Sequence, residues 1–335
     1  AKKDGISIIL ITHDLAIVAN TANYLLLMKD GILVDQGKPI KVFKDLSHPY
    51  TQKLFSASNQ SLALKKRAYS GGELLEVKSI SVSYKSHDKG ILFKRASFEA
   101  VSDVSFNINK GERLGLVGES GCGKSTLTRT ILGLQSPKSG YINFDGKKIS
   151  KSDGSFKKNV QVVFQDPYGS FNPRHKIGRL IAESFFALGE LAPPQTEQRI
   201  IVEEMLEEVG LPLESTEKYI HEFSGGQRQR IAIARALVTK PKLIIFDEAV
   251  SALDVSIKSQ ILKLISDLTE RHNLSYLFIS HDLKVIENIT EKCLVMKSGK
   301  IVERGPTKQI LCDPKNEYTL SLINAAPKFP DFLHA

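Results

Sequence analysis

Gly118-Glu119-Ser120-Gly121-Cys122-Gly123-Lys124-Ser125-Thr126 lies between a short apolar run, Arg113–Val117, and a segment with apolar residues at Leu127, Ile131 and Leu134. The run has strand length and the following spacing is that of one helix face, so these nine residues turn a strand into a helix. Gly118, Gly121 and Gly123 let backbone N–H groups wrap an anion where a Cβ would clash, and the helix N-terminus favours negative charge. Lys124 supplies a full positive charge for β- and γ-phosphate oxygens, and the Ser125 hydroxyl suits Mg²⁺. Thr126 is placed toward an α-phosphate. The stretch reads as a nucleotide phosphate cradle. Repeated strand–helix–strand segments around it predict a largely parallel sheet covered by helices.

Working outward, Leu243-Ile244-Ile245-Phe246 is a strand apolar on both faces, as a central parallel strand must be. Asp247 at its end can hold Mg²⁺ through water, and Glu248 is placed to polarise an attacking water. A positioned general base contributes typically about 10²–10⁴-fold in rate. Adjacent acids after a strand can also cap a helix, which is the structural alternative. His281 follows a second apolar strand, Ser275–Ile279, and is placed to contact a γ-phosphate and to hold Glu248 and water in line. Gln165, in Val162-Val163-Phe164-Gln165-Asp166-Pro167, can reach Mg²⁺ and that water from a loop. Ser224-Gly225-Gly226-Gln227 opens a helix rich in Ile, Ala and Arg, so its N–H groups and dipole point outward at an anion.

The order and spacing of these five motifs resemble those of the ABC ATPases. That resemblance implies an α/β P-loop NTPase of the ABC type, with a mostly parallel sheet core, an antiparallel β part and an inserted helical subdomain over about 169–235. It implies ATP and Mg²⁺ as cofactors, with Ser125, Gln165 and Asp247 around the metal. Ser224, Gly225, Gly226 and Gln227 would then act in trans, on the γ-phosphate held by another ATPase domain, so that hydrolysis needs two domains head to tail. Ser251-Ala252-Leu253-Asp254 resembles the loop joining the two sites, and Tyr84 stands where relatives stack an aromatic on adenine. An ordinary strand tyrosine is the competing reading there. Ala249-Val250 departs from the Pro-Thr of many relatives.

Residues 1–57 repeat residues 269–325 without a gap: Ile11-Thr12-His13-Asp14-Leu15 falls on Ile279-Ser280-His281-Asp282-Leu283, and Tyr50-Thr51 on Tyr318-Thr319. A fixed offset over that length is an internal duplication. The expected organisation is a C-terminal remnant of a first ABC domain at 1–57, a polar linker at 58–72, a complete domain at 73–326 and a tail at 327–335. With Ala1 in place of Met, the chain reads as an N-terminally truncated piece of a two-ATPase polypeptide. Within the remnant we expect a strand at Ser7–Thr12, a helix at Asp14–Asn23, strands at Tyr24–Met28 and Ile32–Asp35, and one closing helix over Lys38–Ala57.

The closing segments, with Asn172-Pro173-Arg174, His221-Glu222-Phe223 and the insertion Gly90–Arg95, resemble the ATPases of oligopeptide, dipeptide, nickel and glutathione importers, with an extension at about 306–326. The implied partners are a second ABC ATPase domain, two membrane-spanning permease subunits and, indirectly, a periplasmic or lipid-anchored solute-binding protein. The implied place is the cytoplasmic face of the bacterial inner membrane. The same resemblance predicts that a helix over Ile177–Leu188 and the aromatics Tyr168 and Phe171 receive the permease. The alternatives are a soluble ABC ATPase of translation or DNA repair, or an inactive truncated remnant. The absence of C-x-x-C modules and of sustained heptads speaks against the former, and the intact motifs against the latter.

Composition sets further limits. The net charge of +9 comes with scattered lysines in brief runs and reads as a solvated surface, with nucleic acid or anionic lipid as the alternatives; no nucleic-acid partner is expected. The three cysteines show neither a zinc spacing nor a C-x-x-C pair, and residues 326–335 hold none, so zinc and an iron–sulfur cluster are not expected. No apolar run approaches the roughly 18 residues of a membrane span.

Overall fold

Runs of four or five consecutive apolar residues cannot leave one strand face in water, and in this protein they become the inner strands of a sheet. The computed structural model describes residues 6–59, 71–85, 97–149, 154–327 and 329–330, and the chain divides into two compact units, each taken separately below. The insertion at 90–95 and most of the expected linker lie outside the described residues.

The first unit contains Ala1–Ser61, Leu253–Gln260 and Asn324–Ala335. Its helix α1 (Leu15–Thr21) is capped by Asp14, whose side chain accepts the N–H groups of Ala16 and Ile17. A hairpin of β1 (Leu25–Lys29) and β2 (Ile32–Gly37) turns at Asp30-Gly31, both at positive φ. Helices α2 (Pro39–Asp45) and α3 (Pro49–Asn59) follow. Leu15, Val18, Leu25, Val42 and Phe43 form its core with Phe329.

Two expectations need correction here. The closing helix is two helices, because Leu46 takes a left-handed conformation (φ 42°) and Pro49 opens a new helix. The strand expected at Ser7–Thr12 is not formed: Ile9 and Ile11 are 92% and 93% exposed. A strand that is apolar on both faces needs parallel neighbours on both sides, and the described residues of this unit supply none.

The second unit, Leu62–Ala252 with Ile261–Ile323, holds two sheets. Its strands are β3 (Glu73–Lys85), β4 (Ser97–Asn109), β5 (Arg113–Val117), β6 (Ser139–Phe144), β7 (Lys147–Lys148), β8 (Val160–Val163), β9 (Leu243–Asp247), β10 (Ser275–Ser280), β11 (Lys292–Lys297) and β12 (Lys300–Pro306). One sheet runs β12-β11-β5-β10-β9-β8, parallel except at β12; the other, β4-β3-β6-β7, is antiparallel. Leu75, Ile80, Val101 and Ile108 of the antiparallel sheet share a core with Leu116, Ile245, Leu277 and Met296 of the parallel one.

The helices after α3 are α4 (Lys124–Ile131), α5 (Gly154–Asn159), α6 (Ile177–Ala182), α7 (Gln195–Glu208), α8 (Gly225–Leu237), α9 (Val255–His272), α10 (Leu283–Ile289), α11 (Thr307–Cys312) and α12 (Glu317–Ala325). Between β8 and β9 the chain is helical, with one isolated bridge from Lys176 to Tyr219, so the helical insertion is present as expected. The helix expected over Ile177–Leu188 stops at Ala182 and continues as a 3₁₀ helix, Glu183–Leu191.

The sequence repeat is also a repeat of structure. Asp282 caps α10 as Asp14 caps α1. The hairpin bulges at Leu27/Met28 and at the matching Val295/Met296, and Ser298-Gly299 has the positive φ of Asp30-Gly31. The copies differ in what they cover. Leu294 and Met296 are buried because β11 lies beside β5, whereas their counterparts Leu26 and Met28 are exposed on a β1 that, among the described residues, pairs with β2 alone.

Candidate functional site

The parallel strands β5, β8, β9 and β10 end together, with Val163 beside Phe246, Asp247 beside Ile279, and Ser280 beside Val117. The carboxyl edge of an open parallel sheet is where such folds hold ligands. Here it gathers the residues singled out above from four distant parts of the chain.

From Val117 the chain turns through 118–123 into α4, whose N-cap is Gly123 at φ 112°. A Cβ on Gly118 would lie 2.2 Å from the Met296 carbonyl oxygen, and one on Gly123 2.4 Å from that of Ala100. These two glycines are therefore demanded by the close approach of β11 and β4 to the loop. That packing reason was not visible in the motif. Glu119, Ser120, Gly121 and Ser125 are exposed along the loop, while Cys122 is buried, with its thiol pKa raised by burial.

Lys124 is buried, and its Nζ donates to the carbonyls of Gly118 (2.7 Å) and Glu119 (2.9 Å). The same Nζ is 3.9 Å from Glu248 Oε1. Glu248 follows β9 in a left-handed conformation (φ 52°), with its N–H donating to the Ile279 carbonyl. Its other carboxylate oxygen lies 3.4 Å from His281 Nδ1. Glu248 is thus bracketed by the phosphate-loop lysine and the histidine after β10. The helix-cap alternative for the adjacent acids does not hold, since neither acid caps a helix: α9 begins at Val255, where the Asp254 side chain accepts the Ile257 N–H.

Asp247 beside it is half-buried, and burial first, then the charge of Glu248, raises its pKa. Two adjacent carboxylates in a partly dehydrated site, with an exposed serine hydroxyl on α4, form an all-oxygen donor set that fits Mg²⁺. Ser125, Asp247 and Gln165 would hold the ion, which would neutralise phosphate charge. Gln165 is exposed just past β8, at the same sheet edge.

Tyr84, at the end of β3, donates from its hydroxyl to Gln135 Oε1 (2.7 Å) and lies 3.3 Å from Thr126 Oγ1. This places a partly exposed ring beside the loop.

Ser224-Gly225-Gly226-Gln227 sit on another element, at the start of α8. Ser224 caps α8 by accepting the Gln227 N–H, while Gln227 Oε1 accepts the Ser224 N–H (2.9 Å). Ser224, Gly225 and Gln227 are exposed and Gly226 is buried, so this capped N-terminus faces solvent. In the preceding loop, Tyr168 is exposed beneath the Arg228 guanidinium. Phe171, expected to be exposed, is buried against the guanidinium of Arg235, 4.2 Å from its ring centre. Phe186, farther along this insertion, is 83% exposed.

One contact was not anticipated. The Tyr318 hydroxyl, on α12, accepts the N–H of Glu119 in the phosphate loop (3.2 Å). The recurrence of Tyr50-Thr51 as Tyr318-Thr319 is the signal that could have drawn attention to it.

Residues 101–251 match the ABC transporter family, and residues 302–332 match the C-terminal region of oligopeptide/dipeptide transporters. Over residues 101–251 the chain is thus similar to ABC transporter proteins. The chain is 39% identical to the glutathione import ATP-binding protein GsiA of Escherichia coli K12 over 355 residues, covering 97% of this chain and 57% of that protein. It is likewise 39% identical to GsiA of Salmonella paratyphi A, covering 96% and 56%. The chain therefore spans little more than half the length of these curated relatives.

Among solved structures, cbiO1 of Clostridium perfringens, part of the ABC transporter complex cbiONQ, superposes with a TM-score of 0.62 at 27% identity, over 78% of this chain and 98% of that one. A dimeric ATP-binding cassette, MJ0796 bound to ADP and phosphate, gives 0.61 at 26% identity, over 70% and 99%. The ABC ATPase fold expected from the motifs is the fold observed. No helix among the described residues is long and apolar enough to cross a membrane.

Proposed function

We propose that this chain binds and hydrolyses ATP and energises an ABC importer for peptides or peptide-like solutes, at the cytoplasmic face of a bacterial inner membrane. The observation that carries the catalytic part is Glu248, held between Lys124 and His281 at the carboxyl edge of the parallel sheet. Glu248 takes the proton of the attacking water, His281 orients the carboxylate, and the loop N–H groups with Lys124 hold the phosphates. The exposed, capped N-terminus of α8 supports a role in trans: Ser224 Oγ is used as a cap acceptor, which leaves its O–H to donate to a γ-phosphate on a second ABC domain. The match of 302–332 to oligopeptide/dipeptide transporters, and the likeness to glutathione importers, support a peptide-like cargo.

On this reading, residues 6–59 are the closing part of another ABC domain. The support is the structural repeat together with the exposed β1 residues whose counterparts are buried beside β5. The exposed Tyr168 and Phe186 are the aromatics offered to a permease, since aromatic anchors dominate such interfaces.

Glu248→Gln tests the reading. It should retain ATP binding while lowering turnover at least about 10²-fold, the scale of a lost general base. Hydrolysis at the parent rate would remove Glu248 as the base.

A further inference from the structure

We propose that Tyr318 is a positioning residue of the phosphate loop, through which the closing extension sets nucleotide affinity. The proposal rests on the reading that residues 118–126 hold the phosphates. The Tyr318 hydroxyl accepts the Glu119 N–H at 3.2 Å. The other end of that same peptide group is the Gly118 carbonyl, which accepts from Lys124 Nζ at 2.7 Å. One peptide plane is therefore held at both ends, by the extension on one side and by the phosphate-binding lysine on the other.

Nucleotide binding disturbs this balance. When a phosphate draws Lys124 away, the carbonyl end of the plane is released. The residue at that end is Gly118, which packing forbids any side chain and which leaves the backbone soft. The Tyr318 hydrogen bond then keeps the peptide from rotating and the following N–H groups aimed at the phosphates.

Tyr318 is itself well fixed. Its ring is buried, with Lys297 Nζ 4.6 Å from the ring centre. Its N–H donates to Asn316 Oδ1 (2.9 Å), and the N–H groups of Lys315 and Asn316 donate to the Glu303 carboxylate on β12 (2.8 and 3.2 Å). The extension thus links β12 to the loop. In the first unit the matching Lys29 and Tyr50 also pair, at 5.4 Å, so the pairing of the strand-end lysine with the extension's tyrosine belongs to the repeat, and the second unit adds the loop N–H for the hydroxyl to accept.

Tyr318→Phe keeps the ring and removes only the acceptor. With the full chain and Mg-ATP in isothermal titration, the variant is expected to bind about 3- to 10-fold more weakly, the effect of one hydrogen bond. Its nucleotide-free melting temperature should stay near that of the parent. Asn316→Ala, which loosens the extension without touching the hydroxyl, should weaken binding in the same direction. Unchanged affinity in Tyr318→Phe overturns the proposal. So does a loss of affinity accompanied by a fall in melting temperature as large as that of Tyr318→Ala, since Tyr318 would then serve packing alone. Lys124→Ala is the reference: if the parent binds Mg-ATP no better than this variant, the phosphate-loop reading fails and the proposal with it.

Discussion

Asp247 shows how function and stability oppose each other at one residue. Burial and the neighbouring Glu248 charge raise its pKa in the folded chain, so the ionised carboxylate destabilises the nucleotide-free fold. The sign follows from linkage: the penalty is fully present above the folded pKa and fades as pH falls from there toward the unfolded carboxylate value. Asp247→Asn should therefore melt higher than the parent at pH 7. The gap should close in acid, and Mg²⁺-dependent nucleotide affinity should fall. Calorimetry across pH, with and without Mg-ATP, measures both. The residue types of the site were legible because phosphate chemistry needs a lysine, a hydroxyl, carboxylates and a histidine at set places. The reason for Gly118 and Gly123 was not, because it lies in carbonyls of β11 and β4, distant in sequence.

Between elements, Asp145 in the turn from β6 to β7 bonds Lys242, just before β9, and Lys110, just before β5. It therefore joins the antiparallel sheet to the parallel one. Hydrogen bonds from Lys242 and then Lys110 hold its pKa at about 2. A lowered carboxylate contributes stability above its unfolded pKa and loses it as pH falls toward the folded value, here between roughly 4 and 2. Because all three side chains are partly exposed, the contribution is on the order of 1 kcal/mol or less. Asp145→Asn should melt about 1–3 °C lower than the parent at pH 7, with the difference shrinking below pH 4. Residue patterning was a good guide to β5, β9 and β10, whose apolar runs are buried on both faces. It failed at α2–α3, where a single left-handed residue, Leu46, breaks an otherwise helical pattern, and at Phe171, which an arginine on another helix covers.

For the whole molecule, residues 118–126, 247–248 and 281 all fall within the second unit, and the described part of the first contributes no phosphate loop. Deleting residues 1–70 should leave Mg-ATP affinity within a few-fold of the parent, as measured by titration. A larger loss would mean that the first unit supports the nucleotide site. The same comparison bears on the first unit's exposed Ile9, Ile11, Leu26 and Met28. Apolar side chains in water favour association, so the deletion should also reduce self-association, as read by light scattering.

The duplication, the order of the motifs and the helical insertion could be read from the chain alone, because local spacing and residue chemistry encode them. Only the tertiary structure decided which copy of the repeated strand segment pairs. The segment Ser275–Ser280 becomes a buried strand because β5 and β9 flank it, while the equivalent Ser7–Thr12 stays unpaired for want of neighbours. It also decided that Tyr318 reaches Glu119, since a hydrogen bond between residues so far apart exists only once the strands that bring them together have paired. Parallel pairing is non-local, and no window of sequence contains its partner.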